Sequence, residues 1–346
     1  MGNDVRNQRI GVVGLGRIGA FHTETLAGLD GVSSLVVTDG RPEVTDAVAA
    51  KYGAEKVDGV DAMLTAGVDG IVVAAATPAH ASLLLAAVDA GIPVFCEKPL
   101  AFTATESKAV VDGIATSDVP VQIGFNRRFD PAVAAAERAV RSGELGFLHT
   151  VRSTTLDPAP PPMAYIAESG GIFRDCSVHD FDVVRWIVGR EVVSVFATGS
   201  NQGDPAFAAA GDVDSATVLL TFEGGAVGVV SNSRYNGRGY DCRLEVHGRD
   251  DTVVAGWDPH TPVRNMEAPQ LFPHGELFPS DTPHGFFMDR FAASYRAELS
   301  AFLEVCAGTR PSPCTAQDAL EVAWIAEAAT ESLRRGAPVT LEEVRS

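Results

Sequence analysis

Short apolar runs alternate with helical segments over the first third of the chain. The segments between the runs, such as 79–90 and 103–115, carry apolar residues at helical spacing. Strands without polar alternation are typical of a parallel sheet covered by helices on both faces. The pattern therefore predicts a doubly wound α/β domain over residues 1–125. Its strands are IGVVG (10–14), SLVVTD (34–39), GIVVAAA (70–76), IPVFCE (92–97) and VPVQIGF (119–125).

The pattern changes after a helical segment near residues 131–142. Longer runs follow that alternate apolar and polar positions, which indicates strands with one buried face. Glu223-Gly224-Gly225 lies where a tight hairpin turn is expected. Residues 126–346 are predicted to form a second α/β domain with an open, largely antiparallel sheet. Its strands are LHTVRSTTL (148–156), VVSVFATG (192–199), the run 216–234 and CRLEVHG (242–248), and its helices lie at 177–188, near 287–307 and at 315–335, the last able to pack back on the first domain.

Composition and charge narrow the class of protein. A chain of 346 residues with 46% hydrophobic and 21% charged residues fits two globular domains rather than a disordered chain. The formal net charge of -18 disfavours nucleic acid and anionic lipid, since both require clustered lysine and arginine. The most apolar stretch, 71–90, is interrupted by Thr77, Pro78 and His80, so no membrane segment is expected. Five scattered cysteines without a CxxC pair favour a reducing cytoplasm.

A glycine-rich turn suggests a dinucleotide site. In IGVVGLGRIGA (10–20), Gly14, Gly16 and Gly19 follow a strand and open a helix, where the fingerprint requires them. Asp39 ends the second strand about 20 residues after Gly19, where a carboxylate would bind the ribose 2′-hydroxyl. A bare glycine triplet could be only a strand-to-helix turn, but the strand, the helix and Asp39 together favour NAD. Arg41 leaves NADP open, or is simply solvated.

The motif CEKPL places Lys98 at the carboxyl edge of the predicted parallel sheet, where ligands of open α/β folds bind. A lone lysine is usually a surface charge. This one is among only four lysines in a chain with 23 arginines, and it follows a buried strand. Lys98 could hydrogen-bond a substrate oxygen and stabilise negative charge developing there.

The segment GIFRDCSVH (171–179) places Asp175 and His179 four residues apart. On one helix they would share a face, so the aspartate could fix the tautomer of the imidazole and favour its protonated form. Spacing alone equally allows Asp175 to cap a helix and His179 to be an interior histidine. Asp175, Cys176, His179 and Asp182 are all potential metal ligands, yet the spacing does not favour zinc, because no second histidine or cysteine cluster completes a site.

Four motifs together resemble the glucose–fructose oxidoreductase and inositol dehydrogenase (Gfo/Idh/MocA) family, nearly end to end. They are GLGRIG near the start, TPAH after the strand GIVVAAA, EKPL at the end of the strand IPVFCE, and GFNRRFDP thereafter. TLDPAPPP, GGIFRDCSVHDFDVVRW and NSRYNGRGYDCRLEVHG look most like the inositol 2-dehydrogenases. The resemblance implies a Rossmann domain joined to an α/β domain with an open antiparallel sheet, assembled as a homotetramer.

The resemblance also implies roles for individual residues. Lys98, Asp175 and His179 would act at the reacting carbon, with His179 taking the hydroxyl proton. Further hydroxyl groups would be bound by Asn126 or Arg127, Asp157, Asp182 and Tyr240. Arg127 and Arg128 could instead be a solvated pair, and Tyr235 competes with Tyr240. The predicted cofactor contacts are Gly14, Gly16, Arg17, Ile18, Asp39, Arg41, Ala76, Thr77, His80, Glu97 and Lys98.

The sequence thus predicts NAD-dependent oxidation of a cyclic polyol, with myo-inositol converted to its 2-keto form. Two alternatives remain open. One is an oxidoreductase of the same family that acts on an aldose or a keto-sugar. The other is a dinucleotide-sensing regulatory protein without turnover, which the presence of Lys98, Asp175 and His179 together disfavours.

Overall fold

The computed structural model describes residues 7–264 and 280–346. They form two compact units that are discontinuous in sequence. The first unit comprises Met1–Asn126 and Ala293–Ala323, and the second comprises Arg127–Ala292 and Trp324–Ser346. The chain does not simply divide at 125/126, because residues 293–323 return to the first unit. Among the described residues, no helix is long and apolar enough to cross a membrane.

The first unit is built on a six-stranded parallel sheet. Its strands are β1 (Gln8–Val13), β2 (Val32–Thr38), β3 (Glu55–Lys56), β4 (Gly70–Val73), β5 (Val94–Glu97) and β6 (Val121–Gly124). They lie in the order β3-β2-β1-β4-β5-β6, and every neighbouring pair is parallel. This is the strand order of a dinucleotide-binding Rossmann fold, in which the order reverses beside β1 and β4. The predicted fold class of this half is confirmed.

Helices and a shared core stabilise this sheet. The helices between its strands are α1 (Arg17–Ala27), α2 (Pro42–Tyr52), α3 (Gly59–Leu64), α4 (Thr77–Asp89) and α5 (Ala104–Ile114). Ile10 and Phe95 of the sheet lie in one buried cluster with Leu299, Phe302 and Leu303. The last three belong to the later helix Ala292–Cys306, so apolar burial explains why that helix joins the first unit.

The second unit is built on a seven-stranded mixed sheet. Its strands are β7 (Leu148–Leu156), β8 (Val192–Ser200), β9 (Ser215–Phe222), β10 (Val227–Ser233), β11 (Asp241–Gly248), β12 (Thr252–Ala255) and β13 (Val339–Thr340). The order is β12-β11-β7-β10-β9-β8-β13, antiparallel throughout except for the parallel pair β7 and β10. The predicted open, largely antiparallel sheet is confirmed.

One face of this sheet is buried and the other is open. Along β9, Val218, Leu220 and Phe222 are buried, whereas Leu219 between them is exposed. The predicted hairpin between β9 and β10 is present, with Gly224 at φ 78° and Gly225 at φ 90°, a conformation that favours glycine.

Helices complete the second unit on the buried side of the sheet, where the helix Val178–Val188 packs against β7. The helix predicted near 287–307 is interrupted between Arg290 and Ala292. The helix Ala316–Arg335 is divided between the units, with residues up to Ala323 in the first. The helices from this half of the chain are α6 (Pro131–Arg141), α7 (Met163–Glu168), α8 (Ile172–Asp175), α9 (Val178–Val188), α10 (Ala206–Ala209), α11 (Phe287–Arg290), α12 (Ala292–Cys306), α13 (Ala316–Arg335) and α14 (Leu341–Arg345).

Candidate active site

The three glycines after β1 differ in what a side chain at each position would contact. Gly14 has φ 88°, and a Cβ there would lie 2.4 Å from the Cα of Ala75. A Cβ on Gly19 would lie 1.9 Å from the carbonyl oxygen of Gly14, so these two glycines serve a tight turn and close packing. A Cβ on Gly16 would meet none of the described residues within 4 Å. Packing within the described part of the chain therefore does not require glycine here, and Gly16 lines a cleft.

A cleft of about 800 Å³ opens beside this loop in the first unit. It brings together seven of the predicted cofactor contacts, from the loops after β1, β2 and β4 and from the start of α1. Thr77, His80, Glu97 and Lys98 are not among the described residues that line it. The residues brought together are Gly14, Gly16, Arg17, Asp39, Arg41 and Ala76, together with Ile18 at the start of α1.

Asp39 lines this cleft and joins the glycine loop to the end of β2. Its Oδ2 accepts a hydrogen bond from the backbone N–H of Leu15 at 2.7 Å, and its Oδ1 accepts from the backbone N–H and the Nε of Arg41 at 3.0 and 3.1 Å. Partial burial opposes ionisation, but these hydrogen bonds outweigh it and lower the pKa of Asp39. The group is therefore an anion that can accept hydrogen bonds from ribose hydroxyls and repel a 2′-phosphate.

The loop fits a dinucleotide on its own geometry. α1 begins at Arg17 after Gly16, and no side chain caps its N-terminus, so its first N–H groups are available to an anion. The open space at Gly16 allows the backbone to approach a pyrophosphate closely. Gly14, Gly16, Arg17 and Asp39 would hold NAD, and the carboxylate of Asp39 would disfavour the 2′-phosphate of NADP.

Gly16→Ala tests this assignment. The added methyl group meets no protein atom within 4 Å, so we expect an unchanged melting temperature and a KM for NAD raised about 10-fold or more. The matched variant Gly14→Ala places a Cβ against the Ala75 backbone at positive φ, and we expect it to lower the melting temperature as well. Scanning calorimetry and NAD titration separate the two. A Gly16→Ala protein with normal affinity for NAD would contradict the assignment.

His80 does not contact the cofactor cleft but joins two loops. Its Nδ1 lies 2.7 Å from the carbonyl oxygen of Pro99, and its Nε2 lies 3.0 Å from that of Ala75. The ring is buried, and both nitrogens already face carbonyl oxygens of the chain. The structure therefore corrects the prediction of a cofactor contact: His80 holds the loop after β4 against the loop that follows Lys98.

Glu97 is likewise directed into the protein. Its Oε1 lies 2.6 Å from Nε2 of the buried His22, and its Oε2 accepts the backbone N–H of Lys98 at 3.2 Å. This geometry differs from the predicted contact between Glu97 and the cofactor. The carboxylate instead anchors the start of the loop that carries Lys98, and Lys98 itself is half-buried after the end of β5.

Asp175 and His179 do not lie on one helix, which corrects the geometric argument made from their spacing. Asp175 is the last residue of α8, and His179 is the second residue of α9; a turn at Cys176 and Ser177 separates the two helices. Both residues are half-buried in the second unit. The N-cap of α9 is Ser177, without a side-chain capping bond, so a cap at Asp175 is not what the structure shows either.

Arg234, which the sequence argument did not single out, holds two of the predicted site carboxylates. Its Nη1 donates to Oδ2 of Asp157 at 3.0 Å, and its Nη2 donates to Oδ2 of Asp175 at 2.7 Å. The hydroxyl of Tyr165 donates to the other oxygen of Asp175 at 2.9 Å. Arg234 lies in the motif NSRYNGRGYD, but no local pattern distinguishes it from neighbouring arginines, because its partners come from distant parts of the chain.

Arg127 and Arg128 are buried, so the alternative of a solvated arginine pair is wrong. Arg127 donates to Oδ1 of Asp180 at 2.8 Å. The guanidinium of Arg128 donates to both oxygens of Asp182, with distances from 2.5 to 3.1 Å. Both acidic partners are almost fully buried. The structure therefore places Asp182 in a buried ion pair rather than among the accessible hydroxyl-binding groups predicted from sequence.

The two candidate tyrosines differ clearly in environment. Tyr240 is 5% exposed and packs edge-on against Phe291, with ring centroids 6.1 Å apart. Burial raises the pKa of Tyr240 well above its usual range despite the nearby cation of Arg127, so the phenol stays protonated as a hydrogen-bond donor. Tyr235 is 39% exposed, and its hydroxyl accepts the backbone N–H of Asp204 at 3.0 Å. Tyr235 is thus committed to a neighbouring loop.

Asn126 is buried at the end of the first unit's contiguous segment. Its Nδ2 has no hydrogen-bond partner among the described residues, which leaves a buried donor unsatisfied. The Nδ2 of Asn126 could therefore donate a hydrogen bond to a ligand, whereas Arg127 already donates to Asp180. In the same described part of the chain, no group of three or more His, Cys, Asp or Glu side chains is arranged to hold a metal ion.

Comparison with known proteins identifies the family. Residues 8–125 match the oxidoreductase family with an NAD-binding Rossmann fold, and residues 133–254 match the Gfo/Idh/MocA C-terminal domain. The chain belongs to the Gfo/Idh/MocA oxidoreductase family. It is an NAD-dependent oxidoreductase, and the resemblance inferred from the sequence motifs is confirmed.

Members of this family with known activities match over nearly the full chain. The myo-inositol 2-dehydrogenase of Thermotoga maritima is 38% identical over 97% of this chain and 99% of its own length. The NAD⁺-dependent scyllo-inositol 2-dehydrogenase of Bacillus subtilis is 34% identical over 98% and 97%. The crystal structure of scyllo-inositol dehydrogenase from Lactobacillus casei, with bound NAD(H) and scyllo-inositol, has a TM-score of 0.86 at 27% identity and covers 97% of this chain and 100% of that one.

Proposed function

We propose that this Gfo/Idh/MocA oxidoreductase oxidises a secondary hydroxyl group of a cyclic polyol, and that myo-inositol is converted to its 2-keto form. The observation that carries this proposal is the nearly full-length match to myo- and scyllo-inositol dehydrogenases at 34% to 38% identity. Lys98, Asp175 and His179 are all present at the positions that the family resemblance assigns to the reacting carbon.

Bound NAD supplies the hydride acceptor. The side chains of this chain would move the proton and stabilise charge. His179 accepts the proton of the hydroxyl as the carbon loses hydride, and it returns that proton in the reverse reaction. Lys98 donates a hydrogen bond to the same oxygen and stabilises its developing negative charge. Asp175 orients the imidazole of His179 and favours its protonated form.

Substrate recognition would use polar groups besides the three residues assigned to the reacting carbon. Asp157 is held by Arg234 beside Asp175 and has part of its side chain exposed, so it can accept hydrogen bonds from polyol hydroxyls. Tyr240 can donate from a neutral phenol, and Asn126 has an unsatisfied amide. The burial of Arg127 and Asp182 in ion pairs argues for a supporting role of these two residues, in place of the direct contacts first predicted.

The alternatives would use the same polar groups. An aldose or keto-sugar presents hydroxyl groups that these side chains could bind equally well, so substrate identity depends on the relatives rather than on geometry. The membership of an oxidoreductase family argues against the other alternative, a regulatory protein without turnover. We also propose a homotetramer and a cytoplasmic location, the former from the resemblance and the latter from the five free cysteines.

The test is NADH formation at 340 nm by purified protein with NAD and a panel of polyols and sugars. The panel contains myo-, scyllo- and chiro-inositol beside glucose, galactose and xylose. We expect turnover with the inositols and much lower kcat/KM with the aldoses. Turnover confined to aldoses would contradict the proposed substrate but leave an oxidoreductase, whereas tight NAD binding without turnover on any compound would favour the regulatory alternative.

A further inference from the structure

We propose that Arg234 is a positioning residue for the reaction: its guanidinium holds the carboxylates of Asp157 and Asp175 in one arrangement. This inference rests on the proposed function, because it concerns how Asp175 is held for its action on His179. Because only 5% of its side chain is exposed, we assign Arg234 a positioning role and not a contact with the substrate.

The anchoring of Arg234 is rigid. The residue directly follows β10, and its backbone N–H donates to the carbonyl oxygen of Asp214 at 2.8 Å. Its two terminal nitrogens donate to two different carboxylates, Asp157 at 3.0 Å and Asp175 at 2.7 Å. A guanidinium has planar, divergent donors that can serve two partners at once, whereas a lysine ammonium is a single point charge.

The two carboxylates are tied down by further bonds. The backbone N–H of Asp157 donates to the carbonyl oxygen of Ser233 at 2.8 Å, which places Asp157 just beyond the parallel ends of β7 and β10. Asp175 also accepts the hydroxyl of Tyr165 at 2.9 Å. Arg234 therefore connects the end of the central strand pair with the end of α8, two elements that no backbone pairing joins directly.

The positive charge of Arg234 also affects the pKa of Asp157. Burial raises the pKa of Asp157, the cation of Arg234 opposes that rise, and the neighbouring Asp175 adds to it. Without that cation, the two neighbouring carboxylates would have no shared donor between them and would repel each other. Asp175 would then leave the position from which it is proposed to orient His179. The other titratable and charged groups around this cluster are Cys176, Asp180, Arg127 and Tyr165.

Exposure distinguishes this cluster from the purely internal ion pairs. The side chain of Arg234 is 5% exposed, while those of Asp157 and Asp175 are 21% and 14% exposed. In the pairs of Arg127 with Asp180 and of Arg128 with Asp182, both members are almost fully buried. In the Arg234 cluster, therefore, the cation is buried and the two carboxylates are partly exposed. Partly exposed carboxylates can contact a ligand, whereas those of a core ion pair cannot.

A double-mutant cycle tests the role. Arg234→Gln in the full chain is expected to lower kcat on the best inositol about 10- to 100-fold, with the Kd for NAD unchanged, because a displaced Asp175 misplaces the imidazole. Arg234→Lys is expected to recover part of this loss, because it restores the charge without the fork. In an Asp175→Asn background, Arg234→Gln should cause little further loss, since its effect passes through Asp175. Arg249→Gln, in an exposed pair with Asp250, is the control and should leave kcat unchanged.

The outcomes separate this inference from the proposed function. Two results would overturn the positioning role in a protein that oxidises inositols. In one, Arg234→Gln lowers kcat by the same factor with and without Asp175→Asn. In the other, Arg234→Gln lowers only the melting temperature. If Arg234→Gln does not fold, the cycle is completed with Arg234→Lys, to which the same criterion applies. An unmodified protein that oxidises no inositol would overturn the proposed function itself, and the role of Arg234 with it.

Discussion

His179→Ala is expected to lower kcat for polyol oxidation about 100- to 10,000-fold, because a positioned general base contributes a factor of that size to proton transfer. The Kd for NAD should change little, because the predicted NAD contacts lie in the first unit and His179 lies in the second. Steady-state kinetics at 340 nm and NAD titration by fluorescence measure the two quantities. His149→Ala, at an exposed histidine on β7 of the same unit, is the matched control.

The kinetic pattern identifies the step. An equal loss in kcat and kcat/KM would indicate that His179 acts in the transition state, whereas a raised KM with normal kcat would mean that it only binds the polyol. A normal kcat in His179→Ala would exclude the residue as the base, and the assignment of the proton would then have to move to another group, Lys98 first.

The first unit could be predicted in detail because its signals are local. The glycines of the loop after β1 and Asp39 at the end of β2 are fixed by strand, turn and helix geometry within 40 residues of each other. Sequence spacing therefore carries the necessary information. What it could not supply is the direction of the buried polar side chains: Glu97 and His80 lie in the predicted motifs, yet they bind His22 and two loop carbonyls.

The second unit shows the opposite limit. The motif around Asp175 and His179 was recognised, but the helix assumed to align them is interrupted by a turn, so the argument that they share one helical face does not hold. The partners of Asp175 are Tyr165, ten residues before it, and Arg234, 59 residues after it. Long-range pairs of this kind leave no periodic pattern in one sequence, so Arg234 was missed.

The same limit applies to the consecutive arginines of GFNRRFDP. Charge alone suggests solvent, because arginine is mostly exposed unless it is paired. Asp180 and Asp182 of α9 provide the pairs, and Asp180 also accepts hydrogen bonds from Ser153, Thr155 and Asn232. These ion pairs allow Arg127 and Arg128 to be buried. Because Asp180 and Asp182 lie on α9, the two arginines support the helix that also carries His179.

Asp182→Ala should therefore act on stability rather than on substrate binding. The variant removes the carboxylate that pairs with the buried Arg128, and breaking a buried ion pair in this way costs about 3–5 kcal/mol. We expect the midpoint of thermal unfolding to fall by several degrees. Asp112→Ala removes a carboxylate from an exposed i,i+4 pair with Lys108 and should leave that midpoint nearly unchanged.

Kinetics on the folded fraction decide between the two roles of Asp182. In the ion-pair role, Asp182→Ala measured well below its unfolding temperature keeps a KM for the polyol near that of the unmodified protein. In a hydroxyl-binding role, the KM would rise by about 10-fold or more while the melting temperature stayed close to normal, because a lost hydrogen bond to a charged group weakens substrate binding by that amount. Both oxygens of Asp182 already accept hydrogen bonds from Arg128. A polyol hydroxyl would have to compete with this bidentate guanidinium for the same carboxylate. We therefore expect the KM for the polyol to stay near normal in Asp182→Ala.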